Sequence, residues 1–131
     1  MTGRPRVLVA DDHQVMLETL VRLLSHDFDV VATASDGLAV LTQAEDLAPD
    51  LLVLDIAMPG LNGIATAARL KSLGSTARVV FVTNMRGRDF VDRSLALGPV
   101  GFVVKDRLVA DLFPAIRSVL SGEPFVSPLN H

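Results

Sequence analysis

Short runs of β-branched and other apolar residues alternate along this chain with longer stretches whose apolar positions recur every three or four residues. Runs of the first kind are RVLVA (6–10), FDVVATA (28–34), DLLVLD (50–55), ARVVFVT (77–83) and VGFVVK (100–105). Their length and their branched side chains predict strands. Between 15 and 24, Val15, Leu17, Leu20, Val21 and Leu24 form one apolar stripe, which predicts a helix with one buried side. Similar segments at about 37–47, 63–73, 87–97 and 108–121 predict four more helices. Gly74 and Gly98 stand where helix ends favour a residue tolerant of positive φ. An interior proline costs a helix about 3 kcal/mol. Asp111 is therefore expected to cap the last helix, with Pro114 in its first turn. Five alternations without a repeat or a low-complexity linker predict one α/β domain around a mainly parallel sheet.

Composition narrows the class. A chain of 131 residues is one ordinary domain, and half of its residues are hydrophobic, as suits a sheet covered on both faces. No cysteine is present, which excludes disulfides and thiolate metal sites. The start, MTGRPR, lacks the apolar segment of a signal peptide, and no stretch is long enough to span a bilayer. A cytoplasmic protein without membrane association is the expectation. The net charge of −3 and the absence of a clustered basic stripe argue against DNA binding by this chain alone.

The chemistry concentrates where the strand-like runs end. VLVADDHQ (7–14) closes an apolar run with two adjacent carboxylates; one of Asp11 and Asp12 is explained as a helix N-cap, and the other is left over. In a parallel α/β sheet, ligands collect beyond the carboxyl ends of the strands. That edge would bring together Asp11, Asp12, Asp55, Thr83 and Lys105. Two carboxylates about 4 Å apart repel by about 4 kcal/mol at an effective dielectric of 20, so three of them call for a cation. Oxygen donors favour a hard ion such as Mg²⁺. Read singly, these residues are ordinary: lysine is usually a solvated charge, threonine suits a strand end, and MPGLNG (58–63) is turn chemistry. Phe102 reads as core, and His13 as a first-turn helix residue rather than a ligand. His26 and His131 have no ligand spacing.

Taken together, VADD, LDIAMPGLNG, FVT and GFVVKD, in this order and spacing, resemble the receiver domain of two-component response regulators, over about 6–120. The resemblance implies a flavodoxin-like, doubly wound, five-stranded parallel sheet of order 2-1-3-4-5 with five helices. It makes Asp55 the phosphoacceptor for a sensor histidine kinase. Asp11, Asp12, Asp55 and the Ala57 carbonyl would hold Mg²⁺, Asp12 directly and Asp11 chiefly through water. Lys105 and Thr83 would contact the phosphoryl group, and Thr83 and Phe102 would form the switch. Ala57 and Met85 would flank the path of the hydrolytic water. Such a protein catalyses only its own modification and is not an enzyme acting on a separate substrate.

Asp106 stands where many receivers carry proline. KD and the tail SGEPFVSP are similar to the subgroup whose receivers precede a helix-turn-helix domain. The expected organisation is a receiver at 1–121 and a tail at 122–131 that begins a linker to an output domain. DNA would be contacted through that domain, with a homodimer allowed. Pro99 replaces the small residue expected before the last strand. A stand-alone receiver is the alternative. A haloacid-dehalogenase-like phosphatase also uses a strand-end aspartate, but it needs a second aspartate two residues later, where this chain has Ala57.

Overall fold

The computed structural model describes residues 3–129. Along the chain run β1 (Arg6–Ala10), α1 (Gln14–Leu24), β2 (Asp29–Ala34), α2 (Gly37–Leu47), β3 (Leu51–Leu54) and α3 (Gly63–Ser72). They are followed by β4 (Arg78–Thr83), α4 (Arg88–Leu95), β5 (Gly101–Val104), a 3-10 turn (Lys105–Arg107), α5 (Leu108–Leu120) and β6 (Phe125–Val126). Each strand pair is parallel, in the order β2-β1-β3-β4-β5-β6.

Alternation along the central strands divides the core into two layers, because successive side chains leave a strand on opposite faces. Val7, Val9, Leu51, Val53, Val80, Val82 and Val103 pack with Leu17, Leu20 and Leu24 of α1 and with Leu112, Ile116 and Val119 of α5. On the other face Leu8, Leu52, Leu54, Phe81, Phe102 and Val104 meet Val40 of α2, Leu70 of α3 and Val91 of α4. Burial on both faces is why these strands read as continuous apolar runs. Side-chain caps start two of the helices: Ala39 N–H donates to Asp36 and Ala65 N–H to Asn62. Gly74 and Gly98 have φ of 94° and 118°, as their positions predicted.

Three expectations are corrected. The sheet has six strands instead of five, since Phe125–Val126 pairs with Gly101–Phe102 in a tail that looked like linker. Two residues carry no periodicity, so β6 left no signal. The expected tail thus contributes a short strand to the sheet. Asp111 does not cap α5, which begins at Leu108 and contains Pro114 in its interior. Proline leaves the Ala110 carbonyl without its helical donor, and Ala110 is exposed, so water can serve it. Neither Asp11 nor Asp12 occupies the N-cap of α1, a position held by His13. No helix among the described residues is long and apolar enough to cross a membrane.

β1 has β2 on one side and β3 on the other, so the strand order reverses between β1 and β3. Asp11 follows the first of these strands and Asp55 the second. The reversal opens a crevice at their carboxyl ends.

Candidate phosphoacceptor site

Main-chain pairing carries the acids to the crevice. Asp55 N–H donates to Ala10 O at 2.9 Å and Asp11 N–H to Ala34 O at 3.1 Å, fixing both residues one step beyond their strands. Lys105 opens the turn after β5. The side chains of Asp11 and Asp55 are 0 % and 3 % exposed and that of Lys105 is 8 % exposed. Lys105 Nζ lies 2.9 Å from Asp11 Oδ2 and donates to Asp55 Oδ2 at 3.0 Å. Burial works against the ammonium, but its contacts with Asp11 and Asp55 outweigh that cost and hold its pKa above the ordinary lysine range. The other Asp55 oxygen, Oδ1, accepts the Ala57 N–H at 3.2 Å.

The β3–α3 loop approaches this group closely. Gly63 N–H donates to Ile56 O at 2.8 Å, and a Cβ on Gly63 would lie 2.1 Å from the Asp55 carbonyl oxygen. A glycine is thus required for the approach. Thr83 is fully buried at the end of β4, where its Oγ1 accepts the Met85 N–H at 3.1 Å. Phe102 is fully buried on the same sheet face as Phe81, its neighbour in the adjoining strand. Asp106 pairs with Arg86, joining the lysine-bearing turn to the loop after β4.

His13, read from sequence as a first-turn residue, sits at the acids. Its Nδ1 lies 3.3 Å from Asp11 Oδ1 and 3.2 Å from Asp12 Oδ1, while its backbone N–H donates to Asp11 Oδ1 at 2.9 Å. Asp11 therefore serves the helix start from two residues away. Ligand atoms of Asp11, Asp12, His13 and Asp55 lie within 4.8 Å of one another. Three carboxylates against one ammonium leave a deficit of negative-charge neutralisation that a divalent cation would fill. Asp11 Oδ2 is buried and, among the described residues, has the Lys105 ammonium as its one partner. Three carboxylates with a single ammonium among them, presenting mainly oxygen groups, fit a hard cation such as Mg²⁺.

Comparison with known proteins shows the family and the fold. The model of the response regulator receiver domain family matches residues 7–117. The chain belongs to this family. The receiver is 35% identical to the response regulator GacA of Pseudomonas viridiflava, over 94% of this chain and 58% of that protein. It is 37% identical to the virulence-factor transcription regulator BvgA of Bordetella pertussis, over 89% of this chain and 56% of that one. The chain thus spans little more than half the length of these relatives.

Among solved structures, the receiver domain of the response regulator NarL from Mycobacterium tuberculosis superposes with a TM-score of 0.86 at 32% identity, covering 92% of this chain and 99% of that one. A chain of the CheX–CheY–BeF₃–Mg²⁺ complex from Borrelia burgdorferi gives 0.83 at 28% identity, over 91% of this receiver and 92% of that chain.

The structure brings together Asp11, Asp12, Asp55 and Lys105, with Thr83, Ala57 and Met85 on the adjoining strand end and loops. Sequence reasoning undervalued His13 and gave Gly63 only a turn role. The three-residue run DDH was a signal for the first. Nothing local could have shown how closely Gly63 approaches Asp55.

Proposed function

We propose that Asp55 accepts a phosphoryl group from a phosphohistidine of a sensor kinase, and that the receiver changes conformation in response. The observation that carries this reading is the Asp55 carboxylate held by Lys105 on one oxygen and by the Ala57 N–H on the other, beside two further acids at a strand-order reversal. An Asp55 oxygen attacks phosphorus in line with the departing imidazole nitrogen. The P–N bond breaks as the O–P bond forms, giving an aspartyl phosphate. Lys105, freed from part of its contact with Asp55, pairs with a phosphoryl oxygen, and the Thr83 hydroxyl donates to another. Asp11, Asp12, Asp55 and the Ala57 carbonyl are the groups that would hold Mg²⁺. Bound there, the ion offsets charge on the phosphoryl oxygens.

The two-state element runs through Thr83 and Phe102 on the α2–α3–α4 face. A hydroxyl drawn to the phosphoryl group releases its bond from the Met85 N–H and opens room for the ring of Phe102 to repack. The span of this chain relative to GacA and BvgA, and the transcription role named for BvgA, support an output domain that contacts DNA, with residues after Ser127 leading towards it.

Incubation with acetyl phosphate and Mg²⁺ tests the reading. Intact mass should rise by one phosphoryl group in the wild type and stay unchanged for Asp55→Asn or in excess chelator. Undiminished labelling of the variant would refute the assignment.

A further inference from the structure

Asp111 is a buried carboxylate for which phosphoacceptance has no direct use. It is 5 % exposed in the first turn of α5, and its neighbour Ser127, in the tail, is 1 % exposed. Ser127 Oγ donates to Asp111 Oδ2 at 2.6 Å and accepts the Val104 N–H at 3.2 Å. The same Asp111 oxygen accepts from Arg107 Nε at 2.8 Å, and Arg107 Nη2 donates to Asp111 Oδ1 at 3.2 Å. Val104 and Arg107 bracket the segment that carries Lys105. The hydrogen bonds therefore form a ring around that segment, from Val104 through Ser127 and Asp111 back to Arg107.

The ring continues into the sheet. Ser127 N–H donates to Phe102 O at 2.8 Å and Phe125 N–H to Val100 O at 3.2 Å, so the tail is bonded to the strand bearing Phe102. β6 is two residues long and half-buried, with Phe125 and Val126 packed against opposite core layers, so the hydrogen bonds at Ser127 add to a short pairing. The Arg107 guanidinium, through its hydrogen bonds to Asp111, keeps that carboxyl below the usual carboxylate range, and Ser127 reinforces this against the cost of burial. The carboxylate is thus a charged acceptor, and hydrogen bonds to charged groups are the stronger kind.

We propose that Asp111 and Ser127 are positioning residues that couple the Lys105 turn and the Phe102 strand to the chain leaving the domain. A change at Asp55 that moves Lys105 also moves Val104 and Arg107, the two anchor points of the ring. Because Arg107 and Ser127 share one Asp111 oxygen, a shift of the first alters the bond to the second. The tail then reports the state of the site through main-chain and side-chain hydrogen bonds, independently of the α4 surface. This coupling rests on the phosphoacceptor reading above, and it makes residues through Ser127 part of the working unit.

The test uses the ¹⁵N-labelled chain with Mg²⁺ and beryllofluoride, a phosphoryl mimic, and acetyl phosphate labelling in parallel. In the wild type, the amide signals of Val126 and Ser127 should shift together with that of Phe102. In Ser127→Ala, Asp55 should still be labelled and Phe102 should still respond, while the Val126 response is lost; Ser127→Thr, which keeps the hydroxyl, should restore it. Asp111→Asn, which keeps the side-chain shape, should weaken the tail response and provides a second variant if Ser127→Ala fails to fold. Labelled wild type with unmoved tail signals, or Ser127→Ala responding as wild type does, overturns the coupling and leaves the phosphoacceptor reading standing. Absence of labelling in the wild type overturns both.

Discussion

At the scale of single residues, the site depends on groups held by backbone more than by side-chain bulk. Gly63 lets the β3–α3 loop pass against Asp55, since a Cβ there would sit 2.1 Å from the Asp55 carbonyl oxygen. Gly63→Ala should force the loop aside, lowering the urea midpoint by an amount equivalent to about 1–3 kcal/mol and slowing acetyl phosphate labelling. Unchanged stability and labelling would show that the loop relaxes freely. Met85 lies two residues after Thr83, and its thioether cannot orient water as a carboxylate can. Met85→Glu should therefore speed phosphate loss, about tenfold for each 1.4 kcal/mol of barrier removed. Equal or slower loss, followed at matched Mg²⁺ and pH, would deny Met85 that shielding part. Asp11, Asp55 and Lys105 were legible in sequence because each directly follows an apolar strand, and strand ends share an edge. The steric demand at Gly63 was not, because it arises between segments that meet only in the folded chain.

At the scale of elements, the five longer strands and five helices followed from periodicity, whereas α5 and β6 did not follow in full. Pro114 suggested a later helix start, but the apolar stripe from Leu108 to Val119 anchors α5 through buried contacts that override the lost hydrogen bond. Pro114→Ala would give the Ala110 carbonyl a donor again. We expect stabilisation of about 1 kcal/mol in urea unfolding, with the restored bond partly offset by the freer unfolded chain. Destabilisation would indicate that the proline ring packs more productively than the bond it displaces. The Asp111–Ser127 bond adds to the main-chain pairing of β6 and carries a dependence on pH. The folded-state pKa of Asp111 is lowered, so its stabilisation is present in full above the unfolded carboxyl value, about 3.9, and is lost as pH falls through the lower folded value. Wild type should accordingly exceed Asp111→Asn in stability at neutral pH, and the gap should close on acidification through that window. A gap that persists at the acid end would place the effect in something other than ionisation.

At the scale of the whole molecule, one topological fact organises the rest. The reversal of strand order between β1 and β3 puts Asp11 and Asp55 side by side, and β5 delivers Lys105 between them. Isolated, each of these charges is ordinary; together they form a buried cluster with more carboxylates than cations. The order of motifs along the chain made this edge legible from the amino acids alone, since alternating strands and helices constrain which ends must meet. The contribution of the tail was not legible, because it depends on a bond between positions 111 and 127. The proposed phosphoryl transfer and switch turn on Asp55 being the residue modified. Borohydride trapping of the acetyl phosphate-treated chain followed by peptide mass mapping reads this directly, since reduction of an acyl phosphate converts that aspartate to homoserine. We expect homoserine at position 55 and nowhere else, dependent on Mg²⁺; homoserine at Asp11 or Asp12, or a phosphoryl group retained on a serine, threonine or histidine, would refute Asp55 as the acceptor.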